Sequence, residues 1–111
     1  MSICLKRVYE APSVNDGYRV LVDRVWPRGI TRQRLQVDAW LRDLAPSTAL
    51  RKWFAHDPDK WQQFKRRCFS ELEEHAEAVG HLRDKINDGQ VTLVYSARDE
   101  QFNNALALRN L

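Results

Sequence analysis

Apolar positions change their spacing twice along this chain of 111 residues. At the start, Ile3-Cys4-Leu5-Lys6-Arg7-Val8-Tyr9 is short, rich in β-favouring side chains and closed off by Pro12, which predicts a first strand. Asn15-Asp16-Gly17 is turn chemistry. Arg19-Val20-Leu21-Val22-Asp23-Arg24-Val25 predicts a second strand, stopped by Pro27 and Gly29, and Val91-Thr92-Leu93-Val94-Tyr95 predicts a third after Asp88-Gly89. The unbroken apolar character of this third run predicts burial on both faces, as in a parallel sheet.

Between the second and third strands the spacing becomes helical. Val37, Trp40, Leu41 and Leu44 recur with that period, as do Leu50, Trp53 and Phe54 after a start at Pro46-Ser47-Thr48. Asp57 suits an N-cap and Pro58 a first helical position. Trp61, Phe64, Cys68 and Leu72 then mark one apolar stripe. A break is expected near Glu74–Ala76 or at Gly80, with a further helix ending at Asn87-Asp88-Gly89 and a short terminal helix from Asn103 to Leu111. Strands near both ends with helices between them predict one compact α/β domain over residues 1–111, a small, mostly parallel sheet of about three or more short strands packed by helices.

Composition narrows the function classes. With 43% hydrophobic and 30% charged residues, four Trp, three Tyr and four Phe, this is the composition of a folded soluble protein. No apolar run approaches the roughly 20 residues needed to span a bilayer, so no membrane partner is expected. The N-terminus lacks the h-region of a signal peptide, and the expected location is cytoplasmic. Cys4 and Cys68 have neither CxxC nor metal-ligand spacing, and His56, His75 and His81 show no i, i+4 pairing; a metal site and a cofactor are not expected. Net charge is +3, spread unevenly: residues 1–67 carry fourteen Lys/Arg against seven Asp/Glu, and residues 68–111 four against eight. Such asymmetry bears on partners.

Ligands of open α/β sheets bind beyond the carboxyl ends of strands, which directs attention to the two polar strand exits. The first, within "RVWPRGITRQR", places Arg24, Arg28, Arg32 and Arg34 around Trp26 and a Pro27-Arg28-Gly29 turn without one acid. Guanidinium groups hold carboxylate or phosphate through paired donors, and a loop stiffened by proline lowers the ordering cost. The plainer readings are an ion pair for Arg24 with Asp23, Asp99 or another acid, packing for Trp26, and solvation for Arg32 and Arg34. The second exit is Tyr95-Ser96-Ala97-Arg98-Asp99, followed by Asn103-Asn104 at a helix start. Convergence of the exits predicts an anion site of Arg24, Trp26, Arg28, Ser96, Arg98, Asn103 and Asn104, with Asp23 and Asp99 as the weak candidates for proton transfer. Cys-x5-Arg, dinucleotide, Walker and GxSxG loops are absent.

The stretches "KRVYEAP", "DGYRVLVDRVWPRG", "WLRDLAPSTALRKWFAHDPDKW" and "VTLVYSARDEQFNNA" together resemble the bacterial YeaO-like family, a domain of unknown function, over nearly the whole chain. The resemblance implies a compact α/β fold and a bacterial cytosolic setting, and no activity. The family is similar to a broader group with an Asp-Val-Arg exit and a Cys-containing exit from the last strand. Here those places hold Asp23-Arg24 and Tyr95-Ser96, so thiol-dependent chemistry does not carry over. The leading expectation is a cleft for a phosphate- or carboxylate-bearing small molecule. The alternatives are a nucleic-acid-binding module using the basic first half and an interaction domain presenting Trp40, Trp53 and Trp61.

Overall fold

A computed structural model of the chain describes residues 3–98 and 103–109. Four strands form one sheet: β1 (Ile3–Arg7), β2 (Tyr18–Leu21), β3 (Ala39–Trp40) and β4 (Val91–Tyr95). Every pairing is parallel and the order is β1-β4-β2-β3. The unbroken apolar run of β4 now has its reason, because the strand lies between β1 and β2 and is buried at every position.

Alternation along the strands divides the core. Val91, Leu93 and Tyr95 share one face with Val20 and Val22, where Leu72 of α3 (Trp61–Leu72), Leu82 of α4 (Ala76–Asp88) and Ala105 and Leu108 of α5 (Asn104–Leu108) cover them. On the other face Leu21 and Val94 meet Val8, Ile30 and Leu35, the last from α1 (Arg32–Leu35), with Trp26 and Trp40 alongside. Leu50 and Phe54 of α2 (Thr48–Phe54) add a third cluster with Phe64, Cys68 and Ala107, in which the Phe54 and Phe64 rings stack 4.0 Å apart.

The helix start read at Pro46-Ser47-Thr48 and the cap read at Asp57 are in place. The Ser47 side chain accepts from Leu50 N–H, and Asp57 accepts from Asp59 N–H with Pro58 opening a 3-10 turn that leads into α3. The expected break falls at Glu73–His75, and Gly80 sits inside α4.

One expectation is corrected. The Val37–Leu44 tract is not a helix: Ala39–Trp40 is an edge strand in register with Val20 and Leu21, followed by a single 3-10 turn at Arg42–Leu44. Its apolar side chains mimic helical spacing because the segment wraps around the sheet edge, where Trp40 packs on one side and Leu44 on the other. The tract is tied by backbone donors instead, with Asp38 N–H on the Arg19 carbonyl and Arg19 N–H on the Asp38 carboxylate, both at 2.8 Å.

The turn read at Asn15-Asp16-Gly17 holds more than a change of direction. Asp16 is buried and takes Arg19 Nη1 at 2.7 Å and Lys6 Nζ at 3.0 Å. The same Arg19 guanidinium donates to the Leu35 and Gln36 carbonyls, satisfying the end of α1. Gly17 has φ +66°, and a Cβ there would lie 2.3 Å from the Gln90 carbonyl oxygen, so only glycine lets this turn pass the entry to β4.

Burial disfavours the Asp16 charge, yet hydrogen bonds from Ser13, Lys6 and Arg19 outweigh it, and the carboxyl lies below its ordinary value of 3.8. Its stabilisation is therefore complete above pH 3.8 and is lost as pH falls through the lower folded value. Removing one member of a buried pair costs about 3–5 kcal/mol. Carbonyls still serve both cations, so Asp16→Asn should lie near the low end, about 3 kcal/mol in urea unfolding at neutral pH. It should also blunt the acid limb of the stability curve.

Candidate functional site

Parallel neighbours end at the same edge of a sheet, so the loops after β2 and β4 leave it side by side. Leu21 is in register with Val94, and one residue further Val22 N–H still donates to the Val94 carbonyl at 3.1 Å. There the ladder stops and side chains take over. Ser96 N–H donates to Asp23 Oδ2 at 2.9 Å. Asn104 Nδ2 donates to the Val22 carbonyl at 2.9 Å, and the Asn104 side chain also hydrogen-bonds Asp23. From the end of β1, Arg7 donates to the Ala97 and Ser96 carbonyls at 3.0 and 3.3 Å.

These exits and α2 enclose a cleft of about 680 Å³. Of the residues singled out from the sequence, Asp23, Arg24, Trp26, Arg28, Ser96, Asn103 and Asn104 line it. Arg98 is exposed and is not part of the lining, and Asp99 lies outside the described residues.

The arginines have different employments. Arg24 donates to the Ala45 carbonyl at 3.0 Å and the Pro46 carbonyl at 3.3 Å, clipping the β2 exit to the segment that enters α2. Among the described residues backbone oxygens, and not Asp23, receive this guanidinium; the other acid named, Asp99, lies outside them. Arg32 lies over the Trp26 ring, 4.9 Å from its centroid. Arg28 is exposed at the turn and has no hydrogen bond or ion pair among the described residues.

Trp26 packs. Its Nε1–H donates to the Ile30 carbonyl at 2.6 Å and its ring meets Trp40 edge-on, which closes the loop on itself. Trp40 Nε1–H in turn donates to the Asp23 carbonyl at 2.7 Å. Asn103 is buried and caps α5, accepting from Leu106 N–H at 2.8 Å.

Sequence reasoning missed the contribution of α2. Arg51 and Lys52 are exposed and line the cleft together with Phe54 and His56, as does Tyr9 from the β1 exit. The available signal was the basic pair standing off the Leu50, Trp53 and Phe54 stripe. With Arg24 and Arg28, four permanent cations among the described residues line the cleft against one carboxylate, Asp23. Burial pushes that carboxyl above its ordinary 3.8, against the hydrogen bonds from Ser96 and Asn104 and the nearby Arg51 charge. Neither cysteine lines the cleft: Cys4 is exposed on β1, and burial pushes the Cys68 thiol up to about 12. Among the described residues no three His, Cys, Asp or Glu side chains gather where they would hold a metal ion. No helix among them is long and apolar enough to cross a membrane.

A family described as the inactive DUF488-N3 subclade matches residues 2–111. The uncharacterized protein YeaO of Escherichia coli K12 is 41% identical over 108 residues, covering 97% of this chain and 94% of its own length. The uncharacterized protein Rv3073c of Mycobacterium tuberculosis H37Rv is 40% identical over 105 residues, covering 95% and 88%. These relatives bear out the YeaO-like resemblance. No solved structure matches the chain.

The raised Asp23 value fixes a sign. Between 3.8 and the folded value the native state holds a proton that the unfolded state has released, so the Asp23 contribution to stability falls as pH rises through that window. Melting temperatures of the wild type and Asp23→Asn, followed across that window, should therefore diverge in favour of the variant with rising pH.

Proposed function

This chain belongs to the inactive DUF488-N3 subclade, and on that premise we propose that its cleft binds a small anionic molecule bearing phosphate or carboxylate. The single observation that carries the reading is the charge of the lining, four cations against one carboxylate among the described residues of a hollow of about 680 Å³. That size suits a small ligand. Arg28, Arg51 and Lys52 are exposed and supply the contacts, whereas Arg24 is held by backbone carbonyls and positions the loop. A guanidinium without an internal partner offers its paired donors to an incoming oxyanion, and that is the chemistry arginine supports best.

The proposed role is holding the ligand and not transforming it. The subclade's description as inactive fits a lining with no thiol, and Asp23 already accepts the Ser96 N–H.

Calorimetric titration with inorganic phosphate and with acetate tests the reading. The wild type should bind at least one of them saturably. Arg28→Ala and Arg51→Ala should each weaken binding about tenfold, the loss of one charge-assisted contact, with melting temperatures within about 1 °C of wild type. Arg34→Ala, on the exposed side of α1 and outside the lining, should bind as the wild type does. Absence of saturation by both anions at about 10 mM overturns the reading, as do unchanged affinities in both cleft variants.

A further inference from the structure

We infer that the ligand of this cleft is a phosphate ester of a flat heterocycle, of the nucleoside monophosphate class, with its phosphate among the rim cations and its ring inside. The inference rests on the anion-binding reading above and adds the non-ionic half of the molecule.

The polar lining is sorted by depth. Arg28, Arg51 and Lys52 are exposed, while Asp23, Ser96 and Asn104 are half-buried. A phosphate pushed down to Asp23 would meet a carboxyl held in place by Ser96 and Asn104, and like charges repel. The anion therefore belongs at the rim. The inner group comprises a carboxyl, a hydroxyl and an amide whose donors are turned on Asp23 and the Val22 carbonyl, which leaves their oxygens as acceptors at short range. That is a surface for the hydrogen-bonding edge of an uncharged polar ring. Three rim cations also match a phosphate monoester better than the single charge of a carboxylate.

The apolar lining is unusual in its exposure. Among the described residues three large hydrophobic side chains are exposed, and two of them, Tyr9 at 55% and Val25 at 67%, line this cleft. Apolar surface left in water beside a polar pocket is stabilised when a ligand covers it. Tyr9 is not loose, since the Arg7 guanidinium lies 5.3 Å from its ring centroid while the same group holds the Ser96 and Ala97 carbonyls. On the α2 side, Ala55 and His56 both adopt left-handed backbone, φ 47° and 56°, a conformation side chains beyond glycine resist. The consequence is to leave His56 in the lining, its ring 5.7 Å from that of Phe54. Backbone strain of this kind gathers where a side chain must be presented. Tyr9, Val25 and His56 thus give a ring apolar and aromatic surface that a bare phosphate would not use.

Calorimetry on the full chain with inorganic phosphate and with the four common ribonucleoside 5′-monophosphates tests this. At least one monophosphate should bind about tenfold or more tightly than inorganic phosphate. Tyr9→Ser and Val25→Ser, both at exposed positions, should each weaken that nucleotide at least about fivefold and leave inorganic phosphate within about twofold. If inorganic phosphate binds and no monophosphate binds more tightly, the ring assignment is overturned and the anion site stands. A nucleotide preference indifferent to both serine variants also overturns it. Failure of phosphate and every nucleotide to bind removes the anion reading itself.

Discussion

The hydrogen bond from Ser96 N–H to the Asp23 carboxylate sets the geometry of everything at this edge of the sheet. Parallel pairing brings two chain segments together and then releases them, and each released segment carries backbone groups that the ladder no longer satisfies. After Val22 the β2 chain turns away, so the next donor on the β4 side needs a partner supplied by a side chain. Asp23 supplies it, Asn104 braces Asp23 and the Val22 carbonyl, and Arg7 holds the two carbonyls beyond. A hollow can persist between diverging loops only because both are pinned this way. The carboxyl accepts burial in return, and its affinity for a proton rises.

Those features were legible in the sequence to unequal degrees. A strand buried on both faces shows itself as an apolar run, so β4 and the parallel class could be read from Val91 to Tyr95. Helix starts are local, and those at Pro46-Ser47-Thr48, at Asp57 with Pro58, and at Asn103 were all readable from two or three residues. The edge strand β3 was not, because two residues are too few to display an alternation and Trp40 and Leu44 serve different faces of the sheet. The Lys6-Asp16-Arg19 network was invisible for another reason. Its members are ten and three residues apart, and only folding places the acid inside with both cations.

The cleft divides along the same line. Residues from the two exits were found because strand ends are where α/β sheets hold ligands, and seven of them do share one lining. Arg51, Lys52 and His56 escaped because α2 reaches the site through tertiary packing, in which Phe54 stacks on Phe64 and Arg24 grips the chain just ahead of the helix. Nothing in the period of α2 announces which of its solvent-side residues will overlook a hollow.

Arginine type alone says little about role, and this molecule shows why. Arg7, Arg19 and Arg24 each lie within reach of backbone carbonyls at the end of a strand, a helix or a loop, and their planar donors complete those ends. Carbonyl dipoles satisfy a guanidinium without neutralising it, so Arg7 and Arg24 still contribute positive potential to their surroundings, whereas Arg19 is paired with Asp16. At the cleft, Arg24 adds such a fixed charge behind the exposed ones. Arg28 stands exposed on the Pro27-Gly29 turn and, among the described residues, has no carbonyl or acid to receive it. Structural arginines thus shape the hollow and bias its potential, and under the proposed reading the exposed ones supply the grip on an anion. A cleft built only from the first kind would attract anions without gripping them, and one built only from the second would lack the braced loops that hold its cations in place.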